Sequence, residues 1–438
     1  MFLSRAARTV MLDAAIAFAI RVLSAGLVFG LQVLLARLMP LEGYGGFVTL
    51  WTWLLAIGSF AALGFAESSV RFLPRYRARG REAQVRAYWR YGLRAVVLGS
   101  LALAVLALIL AFVLGTRTEP GLIVLYVAIG LPFLAVEYYL EGVARSFGWF
   151  RLTTVPVYIV RPLLIGAICL AIHFSGVPLT LPVVGAAVVG SMALVSCGLA
   201  IVLALRMRGA SAEQKPTSAT GNLWLRASLP LLLVSGLEDL LAYCDVLILS
   251  LMLPGEDVGL YFAAARALAL TNFVYYAMYL VSGRRFALDM ADADKSRLQR
   301  SVREASRLTF WLTVVAVVVT LAAGPILLRA FGPEFVAAYP VMAILALGHI
   351  ARAASGQAGE LLVVAGRQRE SIFIGLGVLA LNVALTVAFV LAFGLFGAAI
   401  GTALALAGRS VALAFVVRRT TGISAVSLGL PSMKKPRG

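Results

Sequence analysis

About twelve long apolar runs recur along this chain, each near the ~20 residues that a bilayer demands of a spanning helix. They fall near residues 13–35, 47–70, 93–115, 121–143, 154–174, 182–205, 225–252, 258–282, 308–330, 339–364, 371–394 and 396–417. An unpaired backbone N–H or C=O in hydrocarbon costs several kcal/mol, so each run must be a helix or a strand of a closed barrel. The alternating pattern of a barrel strand is absent. The fold class is therefore all-α integral membrane, with about 12 transmembrane helices. Composition agrees, because only 13% of residues are charged against about a quarter in soluble domains.

The net charge of +18 would suit nucleic acid, but its distribution rejects that partner. Arg37, Arg117 and Arg329 lie on one side of the predicted topology. Arg21, Arg161, Arg266, Arg352 and Arg409 lie within spans. Every other Lys and Arg falls in the termini or in the loops after even-numbered spans. This is the positive-inside pattern, and it predicts a multi-pass protein with both termini in the cytoplasm. Anionic membrane lipids are the partners such loops favour. Two basic connections, 71–94 and 284–307, are predicted to form interfacial helices.

An internal repeat divides the chain. The turn Leu35-Ala-Arg37-Leu-Met-Pro40-Leu-Glu42-Gly43-Tyr44-Gly45-Gly-Phe47 recurs 214 residues later as Leu249-Ser-Leu-Met-Leu-Pro254-Gly-Glu256-Asp257-Val-Gly259-Leu-Tyr261. The same offset pairs Ser68 with Ser282 and Arg71-Phe72 with Arg285-Phe286. Apolar matches carry little weight in such a chain, but turn and polar residues in ungapped register do. Six crossings return the chain to its starting side, so the halves are parallel repeats, an arrangement found in transporters. The predicted organisation is an N-terminal lobe over 1–206 (spans 1–6), a polar linker over 207–222 and a C-terminal lobe over 223–438 (spans 7–12).

Several function classes are disfavoured by absence. The chain has no Walker A loop, no Gly-x-Ser-x-Gly elbow and no His-Glu-x-x-His. Two histidines and three span-embedded cysteines, Cys169, Cys197 and Cys244, show no metal spacing. No cofactor is expected, and no cleavable signal peptide is evident. Gly397 and Gly401 form a small-xxx-small pair suited to close helix contact. Pro132, Pro156, Pro162, Pro230 and Pro325 are expected kink positions.

Charges within the spans are the candidate functional groups. On insertion scales each central Arg costs roughly 2.5–3.5 kcal/mol, so five facing lipid would cost on the order of 12–17 kcal/mol. Arg21, Arg161, Arg266, Arg352 and Arg409 must therefore meet partners, substrate or a water-filled cavity. The acidic groups are Glu67, Glu137, Glu141, Glu238, Asp239, Asp245 and Glu360, with His349 near Arg352. Glu137, Glu141 and Arg145 share a helix face by their spacing of four, as His349 and Arg352 do by their spacing of three. Ion pairing and substrate or coupling roles are both open for each charge, and the set predicts a polar central cavity.

Arg37-Leu-Met-Pro40-Leu-Glu42-Gly43-Tyr44-Gly45 resembles the first-loop signature of polysaccharide exporters in the multidrug/oligosaccharidyl-lipid/polysaccharide (MOP) flippase superfamily. Leu229-Pro230 through Asp245, on to Val258-Gly259-Leu-Tyr261-Phe-Ala-Ala-Ala-Arg266, resembles the start of that family's second half, and Ala365-Gly366-Arg367-Gln368 the end of its tenth helix. The resemblance implies a MATE-like (MOP) fold of two six-helix lobes that alternates between inward-open and outward-open forms. It implies a flippase, not an enzyme, that moves a polyprenyl-diphosphate-linked oligosaccharide such as an O-antigen or exopolysaccharide repeat unit. Polymerase or glycosyltransferase partners would act beside it. Arginines on the first and eighth helices of related flippases contact the diphosphate, and the matching positions here are Arg21 and Arg266. Guanidinium's forked donors suit a diphosphate, and no lysine occurs in any span. A MATE-type drug/cation antiporter is the alternative, although the first helix carries Arg21 where antiporters often place a carboxylate. A membrane glycan polymerase or ligase is the second alternative, although the large outer loop usual in those enzymes is missing.

The predicted topology has a direct test. A reporter fused at Gly438 should be active only in its cytoplasm-dependent form, and activity confined to the periplasm would overturn the orientation.

Overall fold

The computed structural model describes residues 5–207, 218–292 and 294–426. Most of the predicted linker and the side chain of Arg21 lie outside the described residues. The described chain is helical throughout, without strands. Its helices are α1 (Arg5–Leu38), α2 (Leu41–Ala61), α3 (Phe65–Ala78), α4 (Glu82–Leu114), α5 (Glu119–Ser146), α6 (Phe150–Val155), α7 (Arg161–Phe174) and α8 (Leu181–Arg206). They continue with α9 (Ser218–Met252), α10 (Gly255–Leu268), α11 (Asn272–Ala291), α12 (Lys295–Ala322), α13 (Gly324–Phe331), α14 (Tyr339–Ala353), α15 (Ala358–Val364) and α16 (Gln368–Thr421). Among the described residues nine segments are long and apolar enough to cross a membrane. Every one of the twelve predicted spans falls on these helices. The last two share α16, which is broken at Gly394 (φ 57°, ψ −132°).

Two compact units divide the chain, Met1–Asp239 and Leu240–Gly438. The repeated turn has the same geometry in each. Pro40 (φ −57°, ψ 151°) precedes α2 and Pro254 (φ −60°, ψ 155°) precedes α10. An extended proline at that position ends the previous helix and presets the next. The hydrogen bonds repeat in register too. Met39 N donates to Leu35 O and Tyr44 N to Pro40 O, and their counterparts are Leu253 to Leu249 and Val258 to Pro254.

The basic connections differ from expectation. They are not separate interfacial helices. Residues 71–94 are the end of α3, a turn at Gly80 (φ 64°) and the start of α4. Residues 284–307 are the end of α11 and the start of α12, where the Asp294 side chain caps α12 by accepting from Ser296 N and Arg297 N. Aromatic packing holds the first hairpin. Trp224 lies edge-on to Tyr88 and Tyr91 at 5.2 and 5.5 Å and donates its indole N–H to Tyr76 Oη at 2.9 Å. Ser68 Oγ joins Tyr88 Oη (2.6 Å) to Ser228 Oγ (2.7 Å). In the second hairpin, Gln299 clamps Ser424 through two 2.8 Å bonds, donating to its carbonyl and accepting from its N–H.

Close packing relies on glycine where backbones meet. Gly401 of α16 lies against Thr386 across the Gly394 break, and a Cβ there would come within 2.7 Å of Thr386 Cα. Gly142 of α5 lies against α3, where an added Cβ would stand 2.6 Å from Ala66 Cα. Both neighbours are backbone and cannot swing aside. Gly142→Ala should therefore lower stability by about 1–3 kcal/mol through overpacking. Gly377→Ala, which meets nothing within 4 Å, should leave it equal or raise it by about 0.5–1 kcal/mol. Thermal melts of the two purified variants test this, and equal behaviour would refute the packing account.

Candidate functional site

In the N-terminal unit a cavity of about 360 Å³ is lined by Glu67, Tyr138, Glu141, Arg145, Tyr158, Ser59, Ser235, Glu238 and Asp239, among others. Local sequence explains how these groups meet. Leu63 (φ 52°) and Gly64 (φ 70°) form a left-handed turn that separates α2 from α3. Gly64 permits it because any side chain there would strike the backbone of Ser228 and Leu232 on α9. The turn sets Glu67 at the start of α3, where Arg145 of α5 donates to it at 2.9 Å. That pair is almost half exposed, so its worth is at most about 1 kcal/mol. Glu141, one turn back on the face of Arg145, lines the same cavity with Glu238 and Asp239. Among the described residues these three have no cation within salt-bridge distance. The cavity is acidic and hydroxyl-rich.

One turn further along α5, Glu137 accepts from Arg161 Nη1 at 2.7 Å, with side chains 0% and 8% exposed. The Arg161 guanidinium also lies 5.4 Å from the ring centroid of Trp51. Arg161 comes directly after a π turn over Pro156–Val160 that joins α6 to α7. The extra residue of a π turn rotates the downstream helix about its axis, which re-aims Arg161. Pro156 and Pro162 flank this turn, as the expected kinks. Glu137 Oε2 and Arg161 Nε are buried without hydrogen-bond partners. Arg161 is thus held in a buried ion pair with Glu137 and is not among the residues lining that cavity.

In the C-terminal unit Asp245 of α9 is enclosed in a polar network. It accepts from Tyr261 Oη at 2.7 Å and from Val246 N at 2.8 Å, while Tyr261 Oη meets Thr402 Oγ1 at 3.0 Å. Beside it Asn382 donates to Cys244 Sγ and accepts from Thr386. A cationic cluster lies where α14 meets the 3₁₀ turn Ala269–Thr271 between α10 and α11. His349 Nδ1 is 3.2 Å from Thr271 Oγ1. Arg352 donates to Asn272 Oδ1 at 3.2 Å and stacks its guanidinium 4.4 Å from the Tyr275 ring centroid. Arg409 acts on the same Tyr275, and its neighbour Ser410 donates to the Arg352 carbonyl. Arg266 ends α10 over Phe262 at 5.0 Å, its buried Nε without a partner. Among the described residues neither Arg266 nor Arg352 has a carboxylate within 4 Å. Glu360 stands apart on α15, facing Gly283 of α11.

The structure thus gathers Glu141, Glu238 and Asp239 in one cavity, and His349, Arg352 and Arg409 in one cluster. Glu137, Arg161 and Asp245 are tied into packing. Tyr138, Tyr158, Asn272 and Tyr275 join these sites without being marked out by the sequence. Their signal is weak, because hydroxyl and amide groups are common at helix interfaces, though Tyr138 adjoins Glu137. Arg21 lies on α1, its side chain outside the described residues.

The fold is one shared with transporters of the MOP superfamily. An inward-facing multidrug resistance MATE family transporter of that superfamily superposes with a TM-score of 0.75 at 13% identity, over 91% of this chain and 94% of that one. The lipid II flippase MurJ, in an inward closed conformation, gives 0.72 at 15% identity, over 92% and 87%. A MOP superfamily transporter from Pyrococcus furiosus, described as having a binding pocket of reverse polarity, gives 0.59 at 17% identity, over 93% and 94%. The chain belongs to the polysaccharide biosynthesis protein family, whose model matches residues 11–282. No curated protein sequence matches it.

The buried pair gives a stability prediction. Arg161→Met leaves the Glu137 charge buried and unpaired and should cost about 3–5 kcal/mol. The double variant Glu137→Leu/Arg161→Met should recover most of that loss. A double variant no more stable than Arg161→Met alone would show that the pair does not act as a unit.

Proposed function

We propose that this protein is a flippase for a polyprenyl-diphosphate-linked oligosaccharide, such as an O-antigen or exopolysaccharide repeat unit, moving it from the cytoplasmic to the outer leaflet by alternating access. The observation that carries this reading is the pair of guanidinium groups, Arg266 and Arg352, set within apolar spans with no carboxylate partner among the described residues. A charge so placed is costly unless something compensates it. A diphosphate supplies two adjacent anionic centres that guanidinium forks bind bidentately. Membership in a polysaccharide biosynthesis family narrows the phosphate carrier to a glycan lipid, and the fold shared with the lipid II flippase supports transport over catalysis. The sugar headgroup would cross through polar surfaces while the polyprenyl tail stays in lipid. Arg21 and Arg266 are assigned to the diphosphate, and Arg352 and Arg409 to its support.

The acidic cavity of the N-terminal unit favours a second, subordinate role. Glu141, Glu238 and Asp239 suit a proton better than a diphosphate, so a coupling proton would bind there. A drug/cation antiporter would share that feature but would gain nothing from Arg266 and Arg352. The reading places the protein in a bacterial cytoplasmic membrane with both termini inside, beside the glycosyltransferases and polymerase that make and use its cargo.

Arg266→Ala and Arg21→Ala should each abolish glycan export in a flippase-null strain while protein levels stay near normal. Arg266→Lys, which keeps charge but loses the fork, should retain at most about a tenth of wild-type export. Full complementation by both alanine variants would sink the diphosphate assignment.

A further inference from the structure

One face of α12 changes chemistry abruptly along its length. Its buried stripe runs through Leu298, Val302, Thr309, Thr313 and Val317. The opposite, exposed stripe begins with Arg300, Arg303 and Arg307 and continues as Leu308, Trp311, Val315 and Val318, which are 51, 57, 58 and 58% exposed. The arginines recur every three to four residues, so their side chains stack on one side over about 10 Å of helix. With Glu304, Leu308 and Trp311 they line a groove of about 580 Å³. Glu304 is the acid in this groove, and Arg285 of α11 pairs with it at 2.9 Å, so the groove stays strongly cationic.

We infer that this groove binds one anionic membrane phospholipid, its phosphate among Arg300, Arg303 and Arg307 and its acyl chains along Trp311, Val315 and Val318. Three features select that occupant. The cationic and apolar parts abut on one helix face, as the headgroup and chains of a lipid do. The apolar part carries the large exposed residues of a membrane-crossing helix, so lipid is its ordinary surrounding. A tryptophan sits at the junction, where its ring is apolar and its N–H reaches water, as in interfacial belts. A soluble anion would use the arginines and leave the apolar half unexplained.

The other half of the repeat carries only a partial counterpart, with half-buried Arg86 and Arg90. Arg86 stands 214 residues before Arg300, and α4 carries Arg86, Arg90 and Arg94 ahead of exposed Leu98, Leu101 and Val105. It has no tryptophan at the junction, so α12 holds the more complete site. The groove would bind lipid in the same way whatever cargo the protein transports.

The test uses the full chain, purified in detergent and incubated with phosphatidylglycerol or phosphatidylcholine of identical acyl chains, with retained lipid read by native mass spectrometry. Near-surface basic residues each add about fivefold to anionic-lipid affinity, so retention should favour phosphatidylglycerol by at least about tenfold. The variant R300Q/R303Q/R307Q should lose that preference while melting as the native chain does. Independently of any arginine change, phosphatidylglycerol with brominated chains should quench a fluorescence component that W311F lacks. Equal retention of the two lipids, an unchanged preference in the triple variant, or identical quenching in W311F would overturn the site. Displacement of phosphatidylglycerol by far lower amounts of a sugar-free polyprenyl diphosphate would overturn the phospholipid as its occupant.

Discussion

The constraint on which this structure depends is that backbone groups in a membrane span must bond within their own helix, so a helix break there needs side chains to make it tolerable. Among the described residues, three breaks lie beside polar side chains. The left-handed turn at Leu63–Gly64 precedes Glu67 and opens onto the acidic cavity. The π turn over Pro156–Val160 delivers Arg161 to Glu137. The 3₁₀ turn Ala269–Thr271 comes soon after Arg266 and meets His349 through Thr271. Each of these interruptions loosens the regular ladder and puts a charged or hydroxyl side chain where it forms a site or a buried pair. The same feature that weakens a span locally is what places its chemistry.

The repeat shows how two copies of one hairpin kept their geometry and exchanged their polar contacts. In the N-terminal unit Tyr44 donates to Gln32 Oε1 at 3.2 Å across the repeated turn. The corresponding positions in the C-terminal unit, Val258 and Val246, are apolar. There the cross-turn bond moves to Tyr261 and Asp245, whose counterparts are the buried Phe47 and Leu31. Each unit thus has a polar bridge between its first two helices, at different levels. A second bridge in the same hairpin would bury more polar surface without ordering the helices further. Replacing a Leu–Phe register by Asp–Tyr changes both members together, as required when neither a lone carboxylate nor a lone phenol is tolerable in hydrocarbon.

The spans, the repeat and the candidate charges are legible in the sequence because each is a local or periodic property. Hydropathy marks a span, and an ungapped match of Pro40 with Pro254 marks a repeat. The spacing of Glu141 and Arg145 marks a shared face. Contacts that join distant elements are not legible. Nothing near Arg161 in sequence points to Glu137, which is 24 residues away, because Pro156 and Pro162 mark a kink there but not the π turn that re-aims Arg161. Tyr275 and Asn272 carry no mark for a related reason, since their importance comes only from Arg352 packing on them. The basic connections read as interfacial helices because both are rich in arginine and the first also carries Tyr76, Tyr88, Trp89 and Tyr91. Continuous extension of α4 and α12 satisfies the same pattern with one fewer helix end.

The two units handle internal charge in opposite ways, and the energetics are unequal. The N-terminal unit pairs Arg161 with Glu137 and sets Glu67, Glu141, Glu238 and Asp239 around a cavity. The C-terminal unit keeps Arg266 and Arg352 over aromatic rings, with the Asn272 amide accepting from Arg352. A cation over a ring recovers about 0.5–2 kcal/mol, less than the roughly 2.5–3.5 kcal/mol that each central arginine costs on insertion scales. The shortfall for two such residues amounts to a few kcal/mol, a sizeable part of the stability of a whole domain. A structural role would be filled more cheaply by leucine. An anionic ligand bound to these guanidinium groups would offset that shortfall, as the proposed diphosphate would.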